Sequence, residues 1–316
     1  PQAAAEITVS DADRKAAEKL SELIRLKTVS YTDYERMDRD EFSKVEAFFD
    51  SAFPQVSAKL ERKKINDLAY VFHWQGRKPG LKAGLLLAHF DVVPADPEEW
   101  SVDPFGGKIK DGYIWGRGAL DTKNTLLGIL EAAERLLALG FSPQRSWYFA
   151  FGGDEEVMGL EGAMTITKYF ENEGIDFEFV IDEGSAALLG VLPGIDKPLG
   201  LIGVAEKGFA NIVLEVEGES GHSSIPPRET STAILATAVH RLNRKRTRSC
   251  LPKASEQFFR SLAPHASFFY ALVFHNMRIL FPFIRGMLSR ISDINALIRT
   301  TEAVTMLSGS NKENVL

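Results

Sequence analysis

The stretch AGLLLAHFDVVP, Ala83 to Pro94, decides how the rest of the chain is read. Apolar or small residues run without a break from Ala83 to Ala88, then give way at once to His89-Phe90-Asp91. An uninterrupted run of that length suits a strand buried on both faces, as in a parallel sheet. Two further segments repeat the pattern. Ser146 to Phe151 (SWYFAF) leads into Gly152-Gly153-Asp154-Glu155-Glu156, and Phe177 to Ile181 (FEFVI) leads into Asp182-Glu183-Gly184. Helical periodicity lies between them. One helix is expected from Thr122 to Leu139, with Asp121 at its N-cap and Gly140 stopping it, and another from Glu161 to Asn172. This alternation predicts an α/β fold, a mostly parallel sheet flanked by helices.

Upstream of that frame, Ser10 and Asp13 read as a capping-box start to a helix through Ala16, Leu20, Leu23 and Ile24. A second amphipathic helix, Asp40 to Phe53, sets Phe42, Val45, Phe48 and Phe49 on one side. Beyond Val204 the pattern changes. Phe209 to Glu217 (FANIVLEVE) alternates like a strand with one polar face, Thr230 to Leu242 reads as a helix, and Thr301 to Leu307 resembles another strand. The apolar window Ala266 to Leu288 contains His275, Asn276, Arg278, Pro282 and Arg285, so it reads as a helical pair, buried or facing a partner, rather than a membrane span. Two domains are therefore expected, residues 1–203 and a smaller α+β domain over 204–316.

Composition narrows the class. With 45% apolar and 25% charged residues over 316 positions, the chain is neither disordered nor fibrous. The single cysteine, Cys250, excludes an intrachain disulfide, and no Asn-x-Ser/Thr sequon occurs. These features favour the cytoplasm. The chain starts at Pro1, so an upstream signal or anchor stays open. A net charge of −6 argues against nucleic acid as partner, and the one basic run, His240 to Arg248, reads as a solvated helix end with its linker.

Each of the three apolar strands empties into acids at its C-terminal end, the edge where open α/β sheets bind ligands. Singly, the residues involved have plain readings: a polar residue after a strand, a helix cap, an acidic turn. Jointly, His89, Asp91, Asp121, Glu155, Glu156 and Asp182 place an imidazole and several carboxylates together, and such a group repels itself unless one or two divalent cations neutralise it. Nitrogen and oxygen donors without thiolate suit zinc, and also manganese or cobalt. In an extended segment Asp91 can stand behind the His89 ring and fix its tautomer. Of two adjacent glutamates, one can ligate metal while the other takes a proton from water that the metal acidifies, which points to hydrolysis of a carbonyl compound. A nucleotide site is disfavoured, because Gly116-x-Gly118 lacks a third glycine and presents Asp121 where a phosphate needs donors.

AHFDVVP (Ala88 to Pro94), Trp100 with DPFGG (Asp103 to Gly107), GRGALDTK (Gly116 to Lys123), GGDEEVMG (Gly152 to Gly159), VIDEG (Val180 to Gly184) and SGHSSIPP (Ser220 to Pro227) occur in this order. Together they resemble the co-catalytic zinc metallohydrolases that include carboxypeptidase S, aminoacylases, glutamate carboxypeptidase and acetylornithine deacetylase. The long insert and IRTTEAVTML (Ile298 to Leu307) are most similar to carboxypeptidase S and the N-acyl amino acid hydrolases. The resemblance implies a zinc-exopeptidase-like catalytic domain over 1–203 and a lid or dimerisation domain over 204–316, with two Zn2+ per active site. Asp121 matches the carboxylate bridging them, His89 and Asp182 the other ligands of one zinc, and Glu156 a ligand of the second. Glu155 matches the general base, Asp91 the aspartate that orients the histidine, and His222 a lid histidine that stabilises the oxyanion, often in a partner subunit's site.

The family's last zinc ligand is a histidine beyond the lid, and His73, His240, His265 and His275 match no ligand motif. The second zinc site is thus expected to be incomplete, and the chain, ending in the new apolar run Asn314-Val315-Leu316, is read as C-terminally truncated. The implied activity is zinc-dependent hydrolysis of a C–N amide bond in a small peptide or an N-acyl amino acid, with the lid allowing a homodimer. Arg299 and Asn314 are the candidates for holding a substrate carboxylate. Phe258, Phe259, Phe268, Phe269 and Tyr270 of the insert line an acyl pocket or, more plainly, pack helices. The alternative is a catalytically inactive truncated relative that binds metal weakly or associates with a full-length partner.

Overall fold

Ser10 accepts a hydrogen bond from the Asp13 amide and Asp13 accepts one from the Ser10 amide, closing the expected capping box at the start of α1 (Asp11–Arg25). α2 (Arg39–Ala52) buries Phe42, Val45, Phe48 and Phe49, the face its periodicity marks. α3 (Pro54–Lys59), α4 (Lys123–Ala138) and α5 (Ala163–Asn172) follow. The structure, a computed structural model, describes residues 9–184, 187–190, 194–309 and 312–314. Backbone packing divides the chain into two units, Pro1–Glu183 and Gly184–Leu316.

The first unit is built on strands β1 (Glu61–Asn66), β2 (Ala69–Trp74), β3 (Ala83–His89), β4 (Lys108–Lys110), β5 (Tyr113–Trp115), β6 (Trp147–Gly152) and β7 (Phe177–Ile181). β4 and β5 form a separate ribbon, and the others make one sheet in the order β1-β2-β6-β3-β7. β3 runs parallel to both β6 and β7, with His89 opposite Gly152, so all three apolar strands end at the same edge. A hairpin that sequence reading passed over adds β1 and β2, and β2 is antiparallel to β6, which makes the sheet mixed. Alternate residues of β2 face opposite ways, as strand geometry requires. Tyr70 and Phe72 pack with Phe151 under α1 to α4, while Val71 joins Leu85, Ala150, Ile166 and Phe170 on the α5 side. The result is a three-layer α/β/α unit.

Two expectations for this unit need correction. Thr122, not Asp121, occupies the N-cap of α4: the Lys123 amide closes back onto the Gly118 carbonyl, the helix starts one residue late, and the Asp121 carboxylate is left outside it. β7 is not buried on both faces, with Val180 and Ile181 52% and 54% exposed. It lies at the edge of the sheet, and an apolar run is buried only where neighbouring elements reach it.

The second unit has one short ribbon, β8 (Ala187–Leu188) with β9 (Leu199–Gly200), and the helices α6 (Ser231–Arg244), α7 (Lys253–Leu262), α8 (Phe268–His275), α9 (Met277–Leu288) and α10 (Ser292–Leu297). Thr230 caps α6 by accepting from the Ala233 amide. Phe259, Phe274, Met277, Phe281 and Ile298 form the core. The aromatic insert divides accordingly, Phe259 inside and Phe268 and Phe269 exposed. The strands expected at 209–217 and 301–307 are absent: neither stretch belongs to a ladder among the described residues, and both expose their apolar side chains. Alternation marks a strand's faces, but a strand exists only where a neighbour satisfies its backbone. Val315 and Leu316 lie outside the described residues. Among those described, no helix is long and apolar enough to cross a membrane.

Candidate metal centre

His89 is the last residue of β3 and is buried. Its Nδ1 lies 3.0 Å from the Asp91 backbone carbonyl, and because a carbonyl can only accept, this nitrogen bears the proton. The same nitrogen is 3.3 Å from Asp91 Oδ1. Nε2 therefore faces the carboxylates that the other segments deliver: Asp121 Oδ1 at 3.1 Å, Glu183 Oε2 at 3.3 Å and Glu155 Oε2 at 3.7 Å. Burial alone would depress the His89 pKa, but Asp91, Glu183 and Glu155 override it and push the ring up to about 10.

Asp91 is completely buried and does more than stand beside the ring. Its Oδ1 accepts from the Glu155 amide at 3.0 Å and its Oδ2 from the Glu156 amide at 3.2 Å. One carboxylate thus ties the end of β3 to the turn after β6, fixing the imidazole and the glutamate pair relative to each other. Burial pushes Glu155 up to about 7, reinforced by Glu183, Asp91 and Glu156 and opposed by His89. Glu156 is raised by burial and then by Asp121. Glu183 is raised by burial, against the pull of His89. Three carboxyls all pushed upward by burial around one imidazole form a donor set that a divalent cation relieves.

Two triads have donor atoms within 4.8 Å of one another: His89, Asp121 and Glu156, and His89, Glu155 and Glu183. Nitrogen with carboxylate oxygen and no thiolate fits zinc, manganese or cobalt. Of the expected ligands the fold therefore gathers His89, Asp121 and Glu156, with Glu155 beside them and Asp91 behind. Asp182 is exposed, its Oδ1 accepting from the Glu183 amide at 2.9 Å, and Glu183 is the carboxylate that reaches His89. Both line a cavity of about 130 Å³ together with His89 and Glu155. Adjacent acids in VIDEG project differently, and the backbone beyond β7 turns Glu183 rather than Asp182 toward His89. A larger groove of about 900 Å³, between α1 and residues 101–109, contains no member of the cluster.

Lys123 is fully buried beside the centre, and its Nζ donates to the Leu23 and Leu26 carbonyls at 3.1 and 2.7 Å, closing the C-terminus of α1. The remaining predicted residues belong to the second unit. His222 Nδ1 accepts from the Ser224 amide at 3.2 Å, which places its ring proton on Nε2. Arg299 donates to the Thr247 carbonyl and to Ser289 Oγ, and the Asn314 carbonyl accepts from the Ser223 amide.

A family model described as peptidase family M20/M25/M40 matches residues 85–273. The N-fatty-acyl-amino acid synthase/hydrolase PM20D1 of Xenopus tropicalis is 38% identical over 306 residues, covering 96% of this chain and 60% of its own. A probable carboxypeptidase S-like 2 of Dictyostelium discoideum is 40% identical over 309 residues, covering 96% of this chain and 59% of its own. Among solved structures, the M20 family metallo-carboxypeptidase Sso-CP2 from Sulfolobus solfataricus aligns over 55% of this chain and 38% of its own, at 24% identity and a TM-score of 0.44. The chain spans about 60% of the length of these curated relatives.

Proposed function

Because the chain belongs to the peptidase family M20/M25/M40, we propose that it serves in the metal-dependent hydrolysis of a C–N amide bond, in a small peptide or an N-acyl amino acid. The observation that carries this reading is the convergence on His89 Nε2 of carboxylates from three separate loops, with the buried Asp91 locking the ring from behind. His89, Asp121 and Glu156 would hold the ion, with Asp182 or Glu183 as a further ligand. Zinc bound there supplies Lewis acidity, which polarises a carbonyl and acidifies water. Glu155, raised to about 7, is matched to accept a proton from the attacking water at neutral pH and return it to the leaving amine. His222, whose Nδ1 accepts from the Ser224 amide, is suited to donate from Nε2 to the developing oxyanion, in its own subunit or in a second copy paired through the lid. Arg299 and Asn314 remain the proposed contacts for a substrate carboxylate. The names of the relatives, one an N-fatty-acyl-amino acid hydrolase and the other a carboxypeptidase, support amides next to a free carboxylate as the substrate class. The catalytically silent alternative has no observation in its favour.

The test is elemental analysis of the purified chain after exhaustive buffer exchange, for wild type and Asp121→Ala, followed by amine release from an N-acyl amino acid and from a dipeptide. Stoichiometric zinc in the wild type, lost in the variant, is expected. A wild-type chain that retains no divalent metal from zinc-containing buffer would sink the proposal.

A further inference from the structure

The Glu155–Glu156 turn is held by a second buried carboxylate besides Asp91. Asp154 is completely buried, and its Oδ1 accepts from the Gly162 amide at 2.8 Å and its Oδ2 from the Glu161 amide at 2.7 Å. Its carbonyl accepts from the Val157 and Gly159 amides at 3.2 and 2.8 Å, so Asp154 closes the whole loop from 154 to 162 onto itself. The remaining bond on Oδ2 comes from far along the chain: the Tyr34 hydroxyl donates to it at 2.7 Å. Burial, and then the bond to Asp154, raise the Tyr34 pKa well above the ordinary phenol value, so the hydroxyl remains a donor. Around this bond the Arg39 guanidinium lies over the Tyr34 ring and pairs with Glu161 at 3.0 Å.

The same N-terminal segment also grips the other loop of the centre. Thr28 Oγ1 donates to the Phe90 carbonyl, the Ser30 amide to the Val92 carbonyl and the Val92 amide to the Thr28 carbonyl. Residues 28–39 therefore brace both the loop after β3, with His89 and Asp91, and the loop after β6, with the glutamate pair. Nothing else in the segment reaches a carboxylate adjoining the glutamates.

We propose that Tyr34 is a positioning residue of the metal centre, its hydroxyl setting the Glu155–Glu156 turn through the buried Asp154. A carboxylate with three donors on two oxygens is tightly oriented, and removing its one side-chain donor among the described residues loosens the loop that Glu155 and Glu156 depend on. The metal-binding consequence rests on the functional reading above, while the bracing itself does not.

The experiment uses Tyr34→Phe, which removes one oxygen and keeps the ring under Arg39. Hydrogen exchange of the segment containing residues 154–162, thermal melting, and zinc affinity by chelator competition are measured on the same protein. Exchange of the Glu161 and Gly162 amides is expected to quicken at least about tenfold, and zinc to bind about tenfold more weakly, with a fall in Tm of no more than several degrees. In the Tyr34→Phe/Asp154→Asn pair the exchange effects should be non-additive, since both changes disturb the Tyr34–Asp154 bond, although Asp154→Asn also sets an NH2 against the Glu161 or Gly162 amide. Unchanged exchange in Tyr34→Phe, or additive effects in the pair, would overturn the proposal. A wild-type chain that binds no zinc sinks the metal-hydrolase reading instead and leaves the brace to be decided by exchange alone.

Discussion

Asp91 shows how much one buried side chain can organise. Replacing it with Ala strips the acceptors from two amides in a water-free spot and removes the charge beside His89, a loss of roughly 3 kcal/mol. Urea denaturation should report that loss, and zinc binding should fall with it. Lys123 makes the opposite electrostatic case. Burial drives its pKa from the ordinary 10.5 down to about 7, against the pull of Asp91 and Glu41. Between those two values the unfolded chain binds a proton that the folded chain does not, so this group makes stability rise with pH across about 7 to 10.5. Below that window its desolvation cost is felt in full. Denaturation of wild type and Lys123→Met at several pH values should show the wild type gaining on the variant as pH rises from 7 to 10. A constant difference would mean that Lys123 stays charged when folded.

At the scale of elements, the site depends on turns that tolerate little change. A Cβ on Gly162 would stand 2.2 Å from Asp154 Oδ1, so Gly162→Ala must push the carboxylate off its donors. A destabilisation of about 1–3 kcal/mol is expected, with weakened zinc affinity as the sharper readout. The α2 helix offers a control away from the centre. Phe49 sits at ring-centroid distances of 5.5, 5.3 and 6.0 Å from Tyr70, Phe72 and Phe151 and is fully buried. Phe49→Ala should cost about 3–5 kcal/mol in calorimetry and lower zinc affinity only through partial unfolding. Helices were legible because periodicity, caps and stops are written locally: the Ser10–Asp13 box and the α2 face appear where the residues place them. Phe209 to Glu217 alternates as clearly and Thr301 to Leu307 resembles a strand, yet neither forms one, because pairing needs a second chain segment that the pattern does not name.

For the molecule as a whole, the apolar clusters of the first unit draw, among the described residues, on residues of that unit. Residues 1–183 expressed alone are therefore expected to melt cooperatively by circular dichroism, and a broad, featureless transition would show that they need the second unit. The weak point of such a fragment is β7, an edge strand whose Val180 and Ile181 face solvent. Val180→Lys should lower light scattering at high concentration without changing the melting midpoint by much.

The α/β frame and the residue types along its acidic edge follow from local pattern alone. Unbroken apolar runs of strand length read as strands, two of the three interior, and the acids that follow them gather where parallel strands end. His89, Glu155 and Glu156 stand out for that reason, and Asp121 as an acid at the start of a helix. Tertiary structure alone decided that Thr122 rather than Asp121 caps α4 and that Glu183 rather than Asp182 turns toward His89. It also decided that Tyr34, about 120 residues away in sequence, closes the hydrogen bonds of Asp154. Each of these depends on where a backbone carries a side chain of ordinary chemistry, and direction in space is a property of the fold rather than of any local pattern.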